Sequence, residues 1–227
     1  HSRKEPGRAK PDPAGSAGAL LTELGLSAGE NRVAYRGGTR FVARLRASHL
    51  PQADASTAIR ADRTYLITGG AGFIGSHLVE ELFQRGAKVT AFVRYTSRAS
   101  VGFLSSLASD LRIVAGDLTE FESVYQAMKG HEIIFHLGAL IGVPYSFVHP
   151  REVVHVNTVG SLNVLTASRE TKVRRLVLTS TSEVYGTARY VPIDEDHPLQ
   201  AQSPYAASKI AADKLGEAFH HSYALPV

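Results

Sequence analysis

The chain has 227 residues, 25 Lys/Arg against 21 Asp/Glu, and no cysteine. Disulfides, thiolate metal sites and thiol nucleophiles are therefore excluded, which fits a reducing, cytoplasmic setting. No apolar run approaches the roughly 20 residues of a membrane-spanning helix, so no membrane span is expected.

The net charge of +4 is unevenly spread: residues 1–63 hold eleven Lys/Arg and six Asp/Glu, residues 64–227 fourteen and fifteen. The first part reads as a leader or linker over residues 1–62. Its start, His-Ser-Arg-Lys-Glu, has neither an initiator Met nor a signal-peptide stretch and reads as a cut end. Residues 1–18 are rich in Pro, Gly and charge, a composition that predicts disorder. Leu20 to Leu26 is a short apolar stretch with helical potential. Val33 to Leu45 reads as two short strands about Gly37-Gly38, a hairpin signal. Residues 47–62 form a second linker. Arg36, Arg40, Arg44 and Arg46 invite a nucleic-acid reading, but no aromatic platform accompanies them, so a solvated linker is the better one.

From residue 63 the pattern alternates strand and helix. Tyr65-Leu-Ile-Thr68 is apolar without alternation, as expected of a strand buried on both faces of a parallel sheet. Ile74, Leu78, Val79, Leu82 and Phe83 recur at helical spacing, and Gly86 follows as a stop. Further strands are predicted at Val89–Val93, Arg112–Ala115, Ile133–Leu137 and Leu176–Thr179, with helices near 121–129 and 151–169. The fold class is α/β, a Rossmann-type doubly wound parallel sheet with ligands at the carboxyl ends of its strands.

Gly69-Gly-Ala-Gly-Phe-Ile-Gly75 follows the first body strand and opens the first helix. Glycines there let the backbone turn sharply and approach a pyrophosphate, while the helix amino terminus offers free N–H groups and positive dipole. In a strand–loop–helix setting this is a strong dinucleotide signal. A site preferring NAD carries an acid about 20 residues on; this chain has Arg94, followed by Ser97 and Arg98. A cation with hydroxyls suits a 2′-phosphate, so NADP is the expected cofactor and NAD the alternative. Asp117, after the third body strand, is placed either to accept from the adenine amino group or to cap the next helix.

Tyr205 and Lys209 stand at i and i+4 on a predicted helix, facing the same way. An ammonium beside a phenol favours the phenolate, which can then act as general base or acid. Thr179-Ser-Thr-Ser-Glu-Val-Tyr-Gly186 gathers hydroxyls and a carboxylate at a strand end. Thr181 could bond a substrate oxygen and Glu183 could take a proton next to a carbonyl; the alternative is a turn with a capping Glu. His131, His136, His149 and His155 lack metal-ligand spacing, so no metal site is expected. Asp194-Glu-Asp196 reads as an exposed acidic turn before Pro198.

TGGAGFIG, GDL, HLGA, NTVGSLNVL, STSEVYG and YAASK occur in the order seen in the extended short-chain dehydrogenase/reductases, over residues 64–227. Glu183 makes the chain resemble the nucleotide-sugar 4,6-dehydratases in particular, with Ser182 where glucose-type enzymes place Asp, as in the GDP-mannose and legionaminic-pathway groups. The resemblance implies NAD(P) contacts from Gly69, Gly72, Phe73, Ile74, Gly75, Arg94, Asp117, Leu118, Leu137, Ala139, Tyr205 and Lys209. It also implies a catalytic set of Thr181, Ser182, Glu183, Tyr205 and Lys209. In that scheme Tyr205 takes the C4 hydroxyl proton while hydride leaves C4, and Glu183 removes the C5 proton. Water then leaves C6 with help from Ser182, and hydride returns to C6. Thr181 holds the C4 oxygen, and Lys209 the ribose and the phenolate.

Gly138 stands where the family usually has alanine, which should loosen that wall of the cofactor site; Asn157 matches a residue of mainly structural role. The resemblance further implies a nucleotide-sugar substrate and a homodimer. It places a sixth strand and the substrate segment beyond Val227, so these 227 residues alone are expected to bind dinucleotide weakly without turning over substrate. Epimerases share the loop and the Tyr/Lys pair and are the alternative. A third reading is a non-catalytic dinucleotide-binding module. Residues 20–70 are separately similar to the segment entering a ketoreductase of modular polyketide synthases, which would make neighbouring synthase domains the partners. The body departs from that pattern, which continues GGLGGLG and uses Tyr-x-x-x-Asn.

Overall fold

The computed structural model describes residues 59–95, 101–105 and 107–227, and the backbone of two strands ahead of them, β1 (Val33–Arg36) and β2 (Thr39–Val42). Two compact units divide the chain, residues 1–56 and 57–227. In the first, β1 pairs antiparallel with β2, Arg36 opposite Thr39, the strand pairing that the predicted hairpin requires. The expectations for residues 1–18, for Leu20–Leu26, for most of the 47–62 linker, and for Ser97 and Arg98 lie outside the described residues.

The second unit is a five-stranded, wholly parallel sheet. Its strands are β3 (Thr64–Thr68), β4 (Lys88–Arg94), β5 (Arg112–Gly116), β6 (Ile133–His136) and β7 (Arg175–Leu178). Their spatial order, β5-β4-β3-β6-β7, reverses direction at β3, so a crevice opens between the ends of β3 and β6. Crossovers run through α1 (Phe73–Gln84), α2 (Phe121–Met128) and a long interrupted helix before β7. Side chains alternate across the sheet. Leu66, Phe92, Ile134 and Leu176 pack on one face with Val124, Met128, Val164 and Leu165. Tyr65, Ile67, Ala91 and Val93 pack on the other with Val79, Leu82 and Leu104. Both faces are covered, which is why the strands read as unbroken apolar runs.

The helix expected over 151–169 is present but interrupted. After the short α3 (Val143–Val148) come α4 (Pro150–Val154), a wider π turn at His155–Val159, and α5 (Gly160–Glu170). Its cause is local. The Ser161 hydroxyl donates to the Asn157 carbonyl at 2.6 Å, while the Asn157 side chain is pulled out to the Leu140 backbone, accepting from its N–H at 2.8 Å and donating to its carbonyl at 3.0 Å. Side-chain bonds of this kind compete with the regular ladder, and single π turns collect at functional sites. The last helix, α6 (Pro204–Tyr223), starts with Ser203 accepting from the Ala206 N–H and Pro204 at its first position, and ends at Ala224 in the left-handed region.

A buried chain of polar groups fixes the strand ends. The Gly138 N–H donates to Thr68 Oγ1 at 3.0 Å, so the Thr68 hydroxyl proton is free for His136 Nδ1, 2.6 Å away. His136 then carries its proton on Nε2 and donates it to Ser161 Oγ at 3.1 Å. Burial, assisted by the Lys209 charge, pushes the His136 imidazole down to about 3, so it is neutral. In an unfolded chain the same group titrates near 6.5. The contribution of the neutral form is thus whole above about pH 6.5 and is lost as the pH falls from there toward 3, an effect on the order of several kcal/mol when complete. Urea denaturation at successive pH values should show stability falling through this window. The slope should be shallower for His136→Gln, which cannot titrate; equal slopes would remove His136 as a cause.

Candidate active site at the carboxyl ends of the strands

The Gly69–Gly75 loop leaves β3 through Gly69, at φ +70, a conformation that L side chains rarely adopt. The Gly72 N–H donates to the Gly69 carbonyl at 2.9 Å and the Ser76 N–H to the Gly72 carbonyl at 2.9 Å, closing the turn into α1. A Cβ at Gly75 would overlap the Gly69 carbonyl oxygen and lie 3.0 Å from the Gly70 Cα. These neighbours are backbone and cannot swing away, so α1 can approach β3 only with glycine there. The result is a helix amino terminus carried close over the strand end, a cradle that a dinucleotide pyrophosphate fits. Phe73 and Ile74 are exposed on that first turn.

Beside the loop lies a cleft of about 140 Å³, lined by residues that include Gly69, Phe92, Arg94, Asp117, Leu118, Gly138, Ala139 and Leu140. Of the predicted cofactor residues, Gly69, Arg94, Asp117, Leu118 and Ala139 therefore converge on one cavity. Leu137 does not line it; its N–H donates to the Thr68 carbonyl and its side chain packs in the core. Gly138 does not loosen the wall: a Cβ there would stand 2.7 Å from Leu118 Cδ1, so the leucine fills the space that alanine would use. Asp117 Oδ1 accepts from the Thr119 N–H at 2.9 Å and hydroxyl at 2.8 Å, which holds the Asp117 carboxyl below its ordinary range. It forms a turn rather than the cap of α2, whose N-cap is Glu120. Arg94 is exposed at the cleft mouth, 3.8 Å from Glu152, and the Tyr145 hydroxyl donates to the other Glu152 oxygen at 2.5 Å.

The second half of the site lies between β7 and α6. Tyr205 and Lys209, one turn apart on α6, are both buried. Lys209 Nζ donates to the Thr179 carbonyl at 2.6 Å, leaving two N–H bonds for other partners. Burial lowers the Lys209 pKa, and Asp213 acts against that shift. Thr181 caps a 3₁₀ turn, Ser182–Tyr185, its hydroxyl accepting from the Glu183 N–H at 3.3 Å. Ser182 and Glu183 are exposed at the start of that turn. Among the described residues the Glu183 carboxylate has no hydrogen-bond or ion-pair partner, so it does not act as a capping group there.

The two halves are tied together by Asn157. Its Nδ2 donates to Ser208 Oγ at 3.0 Å, and that hydroxyl donates to the Tyr205 carbonyl at 2.7 Å. The same amide clamps Leu140 of the cleft wall. Sequence reasoning passed over Leu140, Phe92 and Ser208, whose side chains look like ordinary core or surface. Ser180 and Asp213 were also passed over, although Asp213 at i+4 from Lys209 was a legible signal.

Residues 66–227 match the GDP-mannose 4,6 dehydratase family. The chain belongs to this family. Among relatives, it is 34% identical over 170 residues to the dTDP-glucose 4,6-dehydratase of Streptomyces niveus, covering 71% of this chain and 51% of that protein. It is 33% identical over 162 residues to the UDP-glucose 4-epimerase of Streptomyces lividans, covering 69% of this chain and 48% of the other. The fold is similar to that of the dTDP-glucose 4,6-dehydratase DesIV of Streptomyces venezuelae, solved with NAD bound. That comparison gives a TM-score of 0.66 at 32% identity, over 71% of this chain and 53% of that one. The UDP-glucose 4-epimerase of Thermus thermophilus, solved with NAD, gives 0.65 at 34%, over 71% of this chain and 52% of that one. The chain spans about half the length of the curated relatives it matches. The family match starts at residue 66, after most of the leader on which the polyketide-type resemblance rests. Among the described residues no helix is long and apolar enough to cross a membrane.

The cradle gives a test of this family assignment at its most constrained atom. Gly75→Ala is expected to weaken NADH binding roughly 10- to 100-fold, the equivalent of about 1–3 kcal/mol of overpacking strain. NADH fluorescence titration measures it, with far-UV circular dichroism unchanged. Native affinity in the variant would show that the loop does not carry the pyrophosphate.

Proposed function

We propose that these residues form the cofactor-binding and acid–base part of a nucleotide-sugar 4,6-dehydratase that prefers NADP, with NAD as the alternative. The observation that carries this reading is Glu183, a free carboxylate on the turn that Thr181 caps and that packs against α6, the helix bearing Tyr205 and Lys209. A bound nicotinamide supplies the hydride acceptor and donor for the sugar. The chain's own groups move the protons. Tyr205, one helical turn from Lys209, is the base that takes the C4 hydroxyl proton, and Thr181 donates to the resulting C4 oxygen. A carbonyl at C4 acidifies C5, from which Glu183 removes the proton. Ser182, next to it, assists departure of the C6 hydroxyl as water. Epimerases among the relatives share Tyr/Lys chemistry, and the acid at position 183 favours the dehydratase.

Preference for NADP is supported by Arg94 at the exit of β4. Its guanidinium stands at the mouth of the cleft, and its nearest carboxylate, Glu152, is 3.8 Å away and already engaged by Tyr145. Donors of this planar cation suit a 2′-phosphate. Arg94→Ala should weaken NADP binding roughly tenfold, the loss of one charge-assisted contact, while changing NAD binding little. Calorimetric titration with both cofactors reads this out, and tighter binding of NAD than NADP by the native chain would sink the preference.

In its full reading frame, the protein supplied with GDP-, UDP- or dTDP-hexoses and cofactor is expected to form a 4-keto-6-deoxy sugar. Tyr205→Phe should lower turnover about 10²- to 10⁴-fold with the fold intact. Glu183→Gln should permit C4 oxidation but block solvent deuterium entry at C5. A product epimerised at C4 that retains its C6 hydroxyl would establish the epimerase reading instead.

A further inference from the structure

Two consecutive residues at the exit of β7 are tied to consecutive turns of α6. The Thr179 carbonyl accepts from Lys209 Nζ at 2.6 Å, and the Ser180 hydroxyl donates to Asp213 Oδ2 at 2.5 Å. Lys209 is the i+4 residue from Tyr205, and Asp213 the i+4 residue from Lys209, so all three share one helix face. Residue 181 begins the turn that carries Ser182 and Glu183. The Thr179 N–H also donates to the His136 carbonyl and the Gln200 N–H to the Val184 carbonyl, so the Ser180 tether is the one that joins this segment side chain to side chain with α6.

We propose that Asp213 is a positioning residue for this site, holding the strand exit through Ser180 and placing a carboxylate next to the Lys209 ammonium. The proposal rests on the reading of Tyr205 and Lys209 as the acid–base pair. Its charge environment is mixed. Lys209, Lys214 and Glu217 face Asp213 from its own helix, and His220 and His221 line the same groove with Leu178 and Val227. From β6, His136 feels the Lys209 charge and is neutral. Burial raises the Asp213 pKa, whereas the Ser180 bond and Lys209 lower it. In return Asp213 counters the burial that lowers Lys209. Lys214 is taken up by Glu217, to which it donates at 2.7 Å, so Lys209 is the cation that Asp213 serves.

Three substitutions separate the two roles. Asp213→Asn keeps an acceptor for Ser180 and removes the charge, Ser180→Ala removes the tether and keeps the charge, and Asp213→Ala removes both. The 227-residue chain is labelled with ¹³C-lysine, and the Lys209 signal is assigned by its loss in Lys209→Arg. Asp213→Asn should shift the Lys209 titration downward. Ser180→Ala should raise amide exchange at Thr181, Ser182 and Glu183 roughly tenfold, the effect of one lost hydrogen bond, and leave exchange in β3 unchanged. Asp213→Ala should do both. Should it fail to fold, the two milder variants carry the test. An unchanged Lys209 titration in Asp213→Asn overturns the assignment, and so does unchanged exchange in Ser180→Ala. Neither readout involves turnover of a nucleotide sugar, so failure of the dehydratase reading shows in product analysis and failure of this proposal shows here.

Discussion

The Thr68 hydroxyl is the point on which the carboxyl end of the sheet depends. It accepts from the Gly138 backbone and donates to His136, so the last residue of β3 is joined to the end of β6 and, through Ser161, to α5. The dinucleotide loop begins one residue later. Its first glycine lies so close to Gly138 that a Cβ at Gly69 would stand 2.9 Å from the Gly138 nitrogen. If β3 and β6 slid relative to each other by a few tenths of an ångström, that approach would be lost. Buried polar groups are costly when half satisfied and rigid when fully satisfied. Here the chain from Gly138 to Asn157 is satisfied at each step, with one direction of proton donation throughout.

From that point the supports branch toward both halves of the site. Ser161 donates to the Asn157 carbonyl, and the Asn157 side chain holds Leu140 on one side and Ser208 on the other. The π turn is what allows this. The wider turn sets the Asn157 side chain where its amide reaches both Leu140 and Ser208. The cleft wall and the Tyr205 helix therefore share an anchor. A shift in either is felt by the other.

Much of this was legible in the sequence, for reasons that differ by element. The strands showed themselves because both faces of the sheet are covered, so β3 and β4 are buried at nearly every position and carry Tyr65-Leu-Ile67 and Ala91-Phe-Val93 as apolar runs. The loop was legible because its glycines answer backbone overlaps that no other residue avoids. Tyr205 and Lys209 were legible from a four-residue spacing on a helix. The interruption at His155–Val159 was not, because helical periodicity persists through a single π turn and the cause is a contact to Leu140, 17 residues away. The role of Gly138 was misjudged for the same kind of reason. A glycine in place of alanine signals space only if nothing distant occupies it, and Leu118 does. Asp117 shows the limit of local rules: it makes the turn expected of an Asp, but ahead of the helix rather than at its cap.

Electrostatics explain why the lysine is buried at all. An ammonium removed from water loses hydration, and the Lys209 pKa falls accordingly. One strong bond to the Thr179 carbonyl and the nearby Asp213 carboxylate offset part of this loss without consuming all three N–H donors. Two remain for groups brought by cofactor or by Tyr205. A surface lysine would have the same donors, but water would screen its charge. Burial with incomplete pairing therefore leaves a weakly screened charge with donors to spare. The exposed Glu183 is the complement: it is held at its backbone by Thr181, while its side chain stands in solvent.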